Sequence, residues 1–225
     1  MPPASEPEAF PVVRVDAVRD KPRDAQWLVE PLWAAQSVGV LGGASRSLKT
    51  WLAAELALAV AAGVPALGCF PVRATGPVLF FGAEDDPSDL RQRFEGIAAA
   101  RAVPLAGLPL YLLDVVTLRL DADEHVLRLR RTVEEIKPLL LVLDPFVRLV
   151  SGLDENSASE VSAVLAALRA VQRDLGCGVL LVHHTRKSPS AHPGHKLRGS
   201  GDFAAWSASA LFLTRKNDEL VLSVE

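Results

Sequence analysis

Short runs of apolar residues, each ending at a polar residue or a glycine, constrain the fold of this chain most strongly. The clearest run is Leu139 to Leu143, and shorter or similar runs occupy residues 37–41, 77–82 and 179–182. A strand that is apolar at every position is typical of a sheet covered on both faces, because an exposed face would be polar at alternate positions. These runs therefore predict central strands of a layered domain.

Segments with helical character separate these strands. Residues 49–62 are rich in alanine and leucine and end at Gly63-Val64-Pro65, a glycine-then-proline stop. Another helix is predicted to begin at Asp86-Pro87-Ser88, and residues 124–136 and 157–175 form two amphipathic helices. The alternation predicts an α/β fold, with a mostly parallel central sheet and helices on both of its faces.

The two ends of the chain depart from this alternation. Residues 1–25 contain several prolines and alternating charges, so we expect a flexible leader or a linker there and a single folded domain over 26–225. Residues 211–213 lead through a polar turn at 216–218 to a second apolar run at 220–222. This pattern predicts a C-terminal antiparallel hairpin that closes the sheet.

Composition excludes several functions. The 225 residues suit one domain of ordinary size, and the net charge of -3 gives no global basic signature, so any nucleic-acid binding needs a local patch. Cys69 and Cys177 lack metal-type spacing and are expected to be reduced thiols. Because no apolar stretch could span a bilayer and no signal-like segment is present, we expect a cytoplasmic protein with no membrane partner.

The most specific motif joins the first apolar strand to the helix at 49–62. It comprises Gly42, Gly43, Ala44, Ser45, Arg46, Ser47, Leu48, Lys49, Thr50 and Trp51. Backbone N–H groups at a helix start attract phosphate, the lysine of a Walker A loop reaches the β- and γ-phosphates, and the hydroxyl after it binds Mg²⁺. We predict that these ten residues bind ATP and that Thr50 contributes to an Mg²⁺ site.

Leu48 departs from the Walker A pattern, because the residue before the lysine is normally glycine. A leucine restricts the loop backbone, although a position with ordinary helical dihedrals would accept it. The alternative interpretation is a turn of small residues before a helix that has an incidental lysine.

Two carboxylates follow buried strands, at the sheet edge where parallel α/β folds place their sites. Asp144 ends the run of five apolar residues, as a Walker B acid does, and is predicted to hold Mg²⁺ through water. Glu84 follows the strand at 77–82 and is predicted to polarise the water that attacks the γ-phosphate. Helix capping is the alternative for both, and it is the role expected of Asp85, Asp86 and Asp89.

A pair of histidines and a basic segment follow the strand at 179–182. Either His183 or His184 is predicted to hydrogen-bond the γ-phosphate, and a structural histidine is the alternative. Residues 183–198 contain no acid, and their titratable residues are His183, His184, Arg186, Lys187, His192, His195, Lys196 and Arg198. Irregular spacing argues against zinc. We expect a basic loop that faces single-stranded DNA or a neighbouring subunit's phosphates, with a solvated loop as the alternative.

In this order, the motifs resemble the RecA-like ATPases of the RepA type, which are hexameric plasmid and phage helicases and their relatives, often called AAA family ATPases. The resemblance covers about residues 27–225. It rests on Gly43 to Thr50, Ala83-Glu84-Asp85, Leu143-Asp144-Pro145, Asp154-Glu155-Asn156, His183-His184 and Arg198-Gly199-Ser200. It implies a RecA-like three-layer sandwich that binds ATP and Mg²⁺ and associates with itself in a ring or filament, the hexamer being the form typical of the group.

The resemblance also implies roles by position. Lys49 and Thr50 match the phosphate and Mg²⁺ residues, Glu84 the catalytic carboxylate, Asp144 the Walker B acid, and one of His183 and His184 the sensor. Arg198 lies in the segment that faces the next subunit's nucleotide, so it is the candidate arginine finger. Helicases of this type tend to have a further arginine at about 206–210, and this chain has none there before Arg215.

Three functions are compatible with these features. The first is an oligomeric motor that moves or remodels single-stranded DNA. The second is an ATP-dependent regulator or loader that acts on a protein partner without unwinding. The third is a monomeric P-loop kinase, in which Arg46 and either Arg91 or Arg93 would form a lid over the phosphates.

Overall fold

A computed structural model describes residues 12–18, 22–150, 158–185, 201–217 and 219–225. Its strands are β1 (Trp27–Val29), β2 (Trp33–Ala34), β3 (Val38–Gly43), β4 (Val78–Gly82), β5 (Leu110–Leu112), β6 (Leu140–Asp144), β7 (Gly178–His184), β8 (Ser209–Lys216) and β9 (Glu219–Val224). Its helices are α1 (Lys49–Ala62), α2 (Pro87–Ala100), α3 (Asp123–Ile136), α4 (Ala158–Leu175) and α5 (Asp202–Trp206). Strand and helix therefore alternate through most of the chain, as predicted.

Seven strands form one sheet in the order β5-β4-β6-β7-β3-β8-β9. All neighbours from β5 to β8 are parallel, and β8 and β9 pair antiparallel. The predicted parallel sheet and C-terminal hairpin are both confirmed. Strands β1 and β2 form a separate small hairpin that the apolar runs did not predict.

Each central strand supplies two hydrophobic cores, one on each face of the sheet. Phe80 packs with α1 and α2, whereas the next residue, Phe81, packs in the core formed with α3 and α4. Successive side chains of a strand point to opposite faces, so coverage on both faces requires apolar residues at every position. Full burial of one such side chain contributes about 1.5–3 kcal/mol relative to exposure.

The elements nearest the site begin where local chemistry favours them. Helix α2 is capped by Asp86, whose carboxylate accepts a hydrogen bond from the Ser88 N–H at 2.8 Å, and Pro87 occupies its first turn. Gly63 caps the C-terminus of helix α1 with φ 70°, a left-handed conformation that glycine adopts without a Cβ clash. The capping role expected of Asp86 is confirmed.

Several expectations need revision or lie outside the described residues. Gly42 and Gly43 belong to β3 instead of the loop, which begins at Ala44. Residues 154–156, the 186–198 part of the basic loop and Arg198 itself lie outside the described part of the chain. Among the residues that the structure does describe, no helix is long and apolar enough to cross a membrane.

Candidate functional site

The sheet topology brings the predicted site residues to one edge. Strands β4, β6, β7 and β3 are consecutive neighbours, and their carboxyl ends lie together. In the sheet register Gly82 lies opposite Asp144, and Gly42 and Gly43 lie opposite His183 and His184. Residues that are up to about 140 positions apart in the sequence therefore lie together, because the carboxyl ends of parallel strands meet at one edge of the sheet.

The loop at 44–48 is closed by the lysine that follows it. Lys49 is the first residue of α1, and its Nζ donates a hydrogen bond to the carbonyl oxygen of Ala44 at 2.7 Å. The lysine is only 5% exposed. Burial lowers its pKa, while the nearby Asp144 and Glu84 carboxylates act in the opposite direction. This cation therefore lies close enough to both predicted catalytic carboxylates to interact with their charges.

Leu48 adopts the left-handed conformation, with φ 65° and ψ 25°. Leu48 therefore does not have the ordinary helical dihedrals that would have made a leucine acceptable at this position. Arg46 also has a positive φ, of 61°. The left-handed region costs a residue with a Cβ about 1–2 kcal/mol. The loop therefore keeps the backbone shape that a glycine would provide, although its side chains oppose that shape.

The space inside the loop excludes even one additional carbon. A Cβ built on Gly43 would lie 2.7 Å from both the Leu213 carbonyl oxygen and Ser47 Oγ, and 3.3 Å from Lys49 Cδ. Within the described residues, Ser47 Oγ and Asp144 Oδ2 are buried without a hydrogen-bond partner. Buried polar atoms without partners are costly in a folded protein. A tight backbone cradle with an unpaired hydroxyl and one unpaired carboxylate oxygen fits a phosphate and a divalent cation.

Asp144 lies deep at the site and is 5% exposed. Burial raises its pKa to about 6, Thr50 opposes this by hydrogen bonding, and Asp85 adds to the rise. Asp144 thus touches Thr50, the residue with which it was predicted to share Mg²⁺. Such a buried carboxylate gains from a neighbouring cation more than an exposed one does.

The two adjacent carboxylates after β4 have different partners. Glu84 accepts a hydrogen bond from Arg148 Nε at 2.7 Å, and both side chains are substantially exposed. Asp85 pairs with both terminal nitrogens of Arg93, at 2.9 and 3.1 Å. The capping role expected of Asp85 is wrong, because the N-cap residue of α2 is Asp86. Arg148 was missed from the sequence because its pairing with Glu84 depends on β4 and β6 being neighbours.

The arginines of the kinase alternative have other contacts. Arg93 also lies over the Trp51 ring, with its guanidinium carbon 5.3 Å from the ring centroid. Arg91 pairs with Glu95 on the exposed face of α2. Arg46 is exposed on the loop. Arg91 and Arg93 are therefore held by acidic neighbours, an arrangement unlike a lid over the phosphates.

The two histidines at the end of β7 differ in their environment. His183 is 1% exposed, stacks on Phe203 with ring centroids 4.4 Å apart, and meets Phe146 edge-on at 5.5 Å. That cluster belongs to the core on the α3 and α4 face. His184 is half-buried, and strand alternation directs it to the opposite face, which α1 covers.

A mostly apolar groove borders the loop. Its volume is about 390 Å³. It is lined by Leu48, Trp51, Leu52, Glu55, Leu67, Ile97, Leu213, Leu220 and Leu222. Leu48 and Trp51 are 42% and 44% exposed, so the two residues that flank Lys49 and Thr50 present apolar surface beside the loop.

Comparisons with known proteins agree with this architecture. A family profile described as an AAA domain matches residues 3–190. Among solved structures, the chain is similar to a KaiC-like protein from the hyperthermophilic archaeon Pyrococcus horikoshii OT3, with 22% sequence identity and a TM-score of 0.53. That alignment covers 88% of this chain and 81% of the other. At this identity the similarity is one of fold, and it confirms the RecA-like three-layer arrangement.

Proposed function

Because this chain belongs to the AAA domain family and is a P-loop ATPase with a RecA-like fold, we propose that it couples ATP hydrolysis to movement along single-stranded DNA. The observation that carries the ATPase site is the convergence of Lys49, Thr50, Asp144 and Glu84 at one sheet edge. Membership of the RepA-type helicase subgroup remains a prediction from the ordered motifs.

The loop and the start of α1 would hold the phosphates. Backbone N–H groups of residues 44–48 and the Lys49 ammonium supply the donors, and the α1 dipole adds to the attraction. Thr50 and Asp144 would hold Mg²⁺, which when bound neutralises charge on the β- and γ-phosphate oxygens. The buried, unpaired Asp144 Oδ2 supports this assignment.

Glu84 is the residue that we assign to the attacking water. Its charge influences both Lys49 and Asp144, so it lies near the atoms that would surround the γ-phosphate. A carboxylate there orients the water and accepts its proton. Of the two histidines, His184 is our candidate for the γ-phosphate sensor, because it lies on the α1 face. His183 then packs as a structural residue between Phe146 and Phe203.

The nucleobase would lie in the groove beside the loop. Trp51 directly follows Thr50, is half-exposed and lines that groove with Leu48. An aromatic ring offers a base a stacking surface of the right shape. Within this proposal, Gly43 acts by keeping the end of β3 free of a side chain, so that the loop can close against Lys49.

The DNA and assembly parts of the proposal rest on sequence. Residues 183–198 contain four cations and four histidines without an acid, which suits a phosphate backbone. Arg198 is proposed to reach the nucleotide of a neighbouring copy as an arginine finger. We therefore propose a ring or filament, with a hexamer as the first form to test. Light scattering with and without ATP, Mg²⁺ and oligo(dT) measures this assembly, and a monomer under all conditions would contradict it.

A second function is favoured by the net charge of -3, which is unusual for a protein that coats DNA. In this case the ATPase regulates or loads a protein partner and unwinds nothing. The rate of ATP hydrolysis with and without oligo(dT) separates the two proposals. Stimulation supports the motor, whereas an unchanged rate over a range of DNA lengths supports the regulator.

Two variants test the site directly. We expect Lys49→Ala to lose nucleotide binding and turnover, and Glu84→Gln to bind a fluorescent ATP analogue while losing at least about a hundredfold in kcat. Arg73→Ala is a matched control, because Arg73 forms an ion pair of intermediate exposure with Glu30. Arg73 lines a pocket with Leu139 and Gly176, which precede β6 and β7, so it lies at the sheet edge opposite the loop. Full turnover by Lys49→Ala would rule out the phosphate loop, and full turnover by Glu84→Gln would rule out the assigned base.

A further inference from the structure

The carboxylate assigned to the attacking water is engaged by an arginine. Arg148 Nε donates to Glu84 Oε1 at 2.7 Å. Among the described residues, no other side chain hydrogen-bonds Glu84. One oxygen of the proposed base is therefore committed to the guanidinium of a largely exposed arginine. A general base needs an oxygen free to accept a proton from water.

The backbones of both partners are anchored, although their side chains are not. Arg148 ends the short 3-10 turn Phe146–Arg148, and its N–H bonds the Pro145 carbonyl at 3.1 Å. Phe146 is fully buried beneath it. Directly after β4, the N–H of Ala83, the residue before Glu84, bonds the Asp144 carbonyl at 2.7 Å. The pair can thus open by side-chain rotation alone, without movement of the sheet.

The pair is weak enough to be exchanged. Arg148 is 61% exposed and Glu84 47% exposed, and exposed ion pairs are worth about 0–1 kcal/mol. The neighbouring Arg93–Asp85 pair is only 16% and 26% exposed and makes two hydrogen bonds, so it is the more persistent of the two. A guanidinium also binds phosphate through two parallel hydrogen bonds, a stronger contact than the single bond to Glu84.

We propose that Arg148 holds Glu84 in the resting chain and that the phosphate backbone of single-stranded DNA, by binding Arg148, releases Glu84 for hydrolysis. This inference rests on the proposed role of Glu84. It assigns to Arg148 a positioning role, through Glu84, and it makes the ATPase rate respond to an anion at the rim of its own site. The response needs no change in the affinity for ATP.

The experiment measures kcat and KM for ATP, with and without oligo(dT), for the wild type, Arg148→Ala, Arg148→Lys and the control Arg73→Ala. We expect oligo(dT) to stimulate the wild type. Arg148→Ala should have a basal kcat raised about two- to fivefold, the range set by the small energy of an exposed pair, an unchanged KM and no further stimulation. Arg148→Lys can still pair with Glu84 and should keep low basal turnover and part of the stimulation.

Several results would overturn the inference. A basal kcat lowered by Arg148→Ala would mean that Arg148 supports the active position of Glu84. Wild-type-like stimulation of Arg148→Ala, or a wild type that oligo(dT) does not stimulate, would remove the release step. Glu84→Gln separates the two proposals. Full turnover in that variant contradicts the assignment of Glu84 as the base. If Glu84→Gln loses turnover, but Arg148→Ala has a basal kcat no higher than that of the wild type and is not stimulated by oligo(dT), only the role of Arg148 is contradicted.

Discussion

The ammonium of Lys49 lies 2.7 Å from the carbonyl oxygen of Ala44, so the first residue of α1 hydrogen-bonds back to the first residue of its own loop. The contact keeps a 5% exposed cation partnered in a site where burial already lowers its pKa. It also ties the loop to the helix. The shape of the loop is thus held in part by the residue that follows it.

Substitutions of Leu48 test whether the left-handed backbone at this position affects nucleotide binding. We expect Leu48→Gly to bind nucleotide at least as well as the wild type, because glycine adopts φ 65° without strain. Leu48→Ile should raise Kd roughly fivefold, because a β-branched residue is a true outlier in this region and about 1 kcal/mol of added strain is close to that factor. Titration with a fluorescent ATP analogue measures both. Equal affinities for the two variants would contradict the prediction.

Alanine substitution at three glycines should change the free energy of unfolding by different amounts. A Cβ on Gly39 would lie 1.9 Å from the Ser209 carbonyl oxygen, so Gly39→Ala should lower the free energy of unfolding by at least about 2 kcal/mol. A Cβ on Gly43 would press on Ser47 and Lys49, so Gly43→Ala should also weaken nucleotide binding.

Gly96→Ala is the matched control for these two variants. Apart from its neighbours in the chain and the nearby backbone of α2, no heavy atom of the described residues lies within 4 Å of the position that the alanine methyl group would occupy, and Gly96 lies on an exposed face of α2. Alanine there should stabilise the protein by about 0.5–1 kcal/mol, because glycine is a poor helix former. Urea denaturation measures all three, and a destabilised Gly96→Ala would show that the clash argument is insufficient.

Asp144 is expected to lower stability in the absence of Mg²⁺. Burial raises its pKa to about 6 in the folded chain, so the folded chain binds this proton more tightly than the unfolded chain, whose aspartates titrate near 3.9. The free energy of unfolding therefore falls as the pH rises from about 4 to about 6 and stays low above that range. Asp144→Asn should be more stable than the wild type by about 2 kcal/mol at pH 8, and about equal to it at pH 4.

Denaturation in urea with EDTA, at pH 4, 6 and 8, measures this difference. Mg²⁺ provides the control, because it should stabilise the wild type and leave Asp144→Asn unchanged. An asparagine variant that is less stable than the wild type at pH 8 without Mg²⁺ would contradict the argument.

The two cysteines should differ in reactivity. Burial raises the pKa of the Cys177 thiol to about 12, and its thiol donates a hydrogen bond to the Gly178 carbonyl at 3.2 Å. Cys69 is exposed. At pH 8 the protonated Cys177 should not react with a disulfide reagent such as DTNB, since the thiolate is the nucleophile. We expect one rapid equivalent from the folded protein, two after denaturation, and none from folded Cys69→Ser. Rapid reaction in that variant would show that Cys177 is accessible.

Local patterns predicted most of the layered fold. Apolar runs specify strands covered on both faces, and the periodic segments between them specify the helices, so the parallel sheet and the final hairpin followed from short-range information. The β1–β2 hairpin and α5 escaped, because each is short and depends on packing against the rest of the domain. Tertiary contacts override weak local preference in such elements.

The sequence by itself determined which chemical groups stand at strand ends: Lys49, Glu84, Asp144 and the two histidines. Only the tertiary structure decided how they are used. It directs His184 to the α1 face and buries His183 among aromatic rings, and it pairs Glu84 with Arg148, 64 residues away. The physical reason is that a short apolar run is enough to show which residue ends a strand. The partner of that residue depends on which strands are neighbours and on which face each side chain lies.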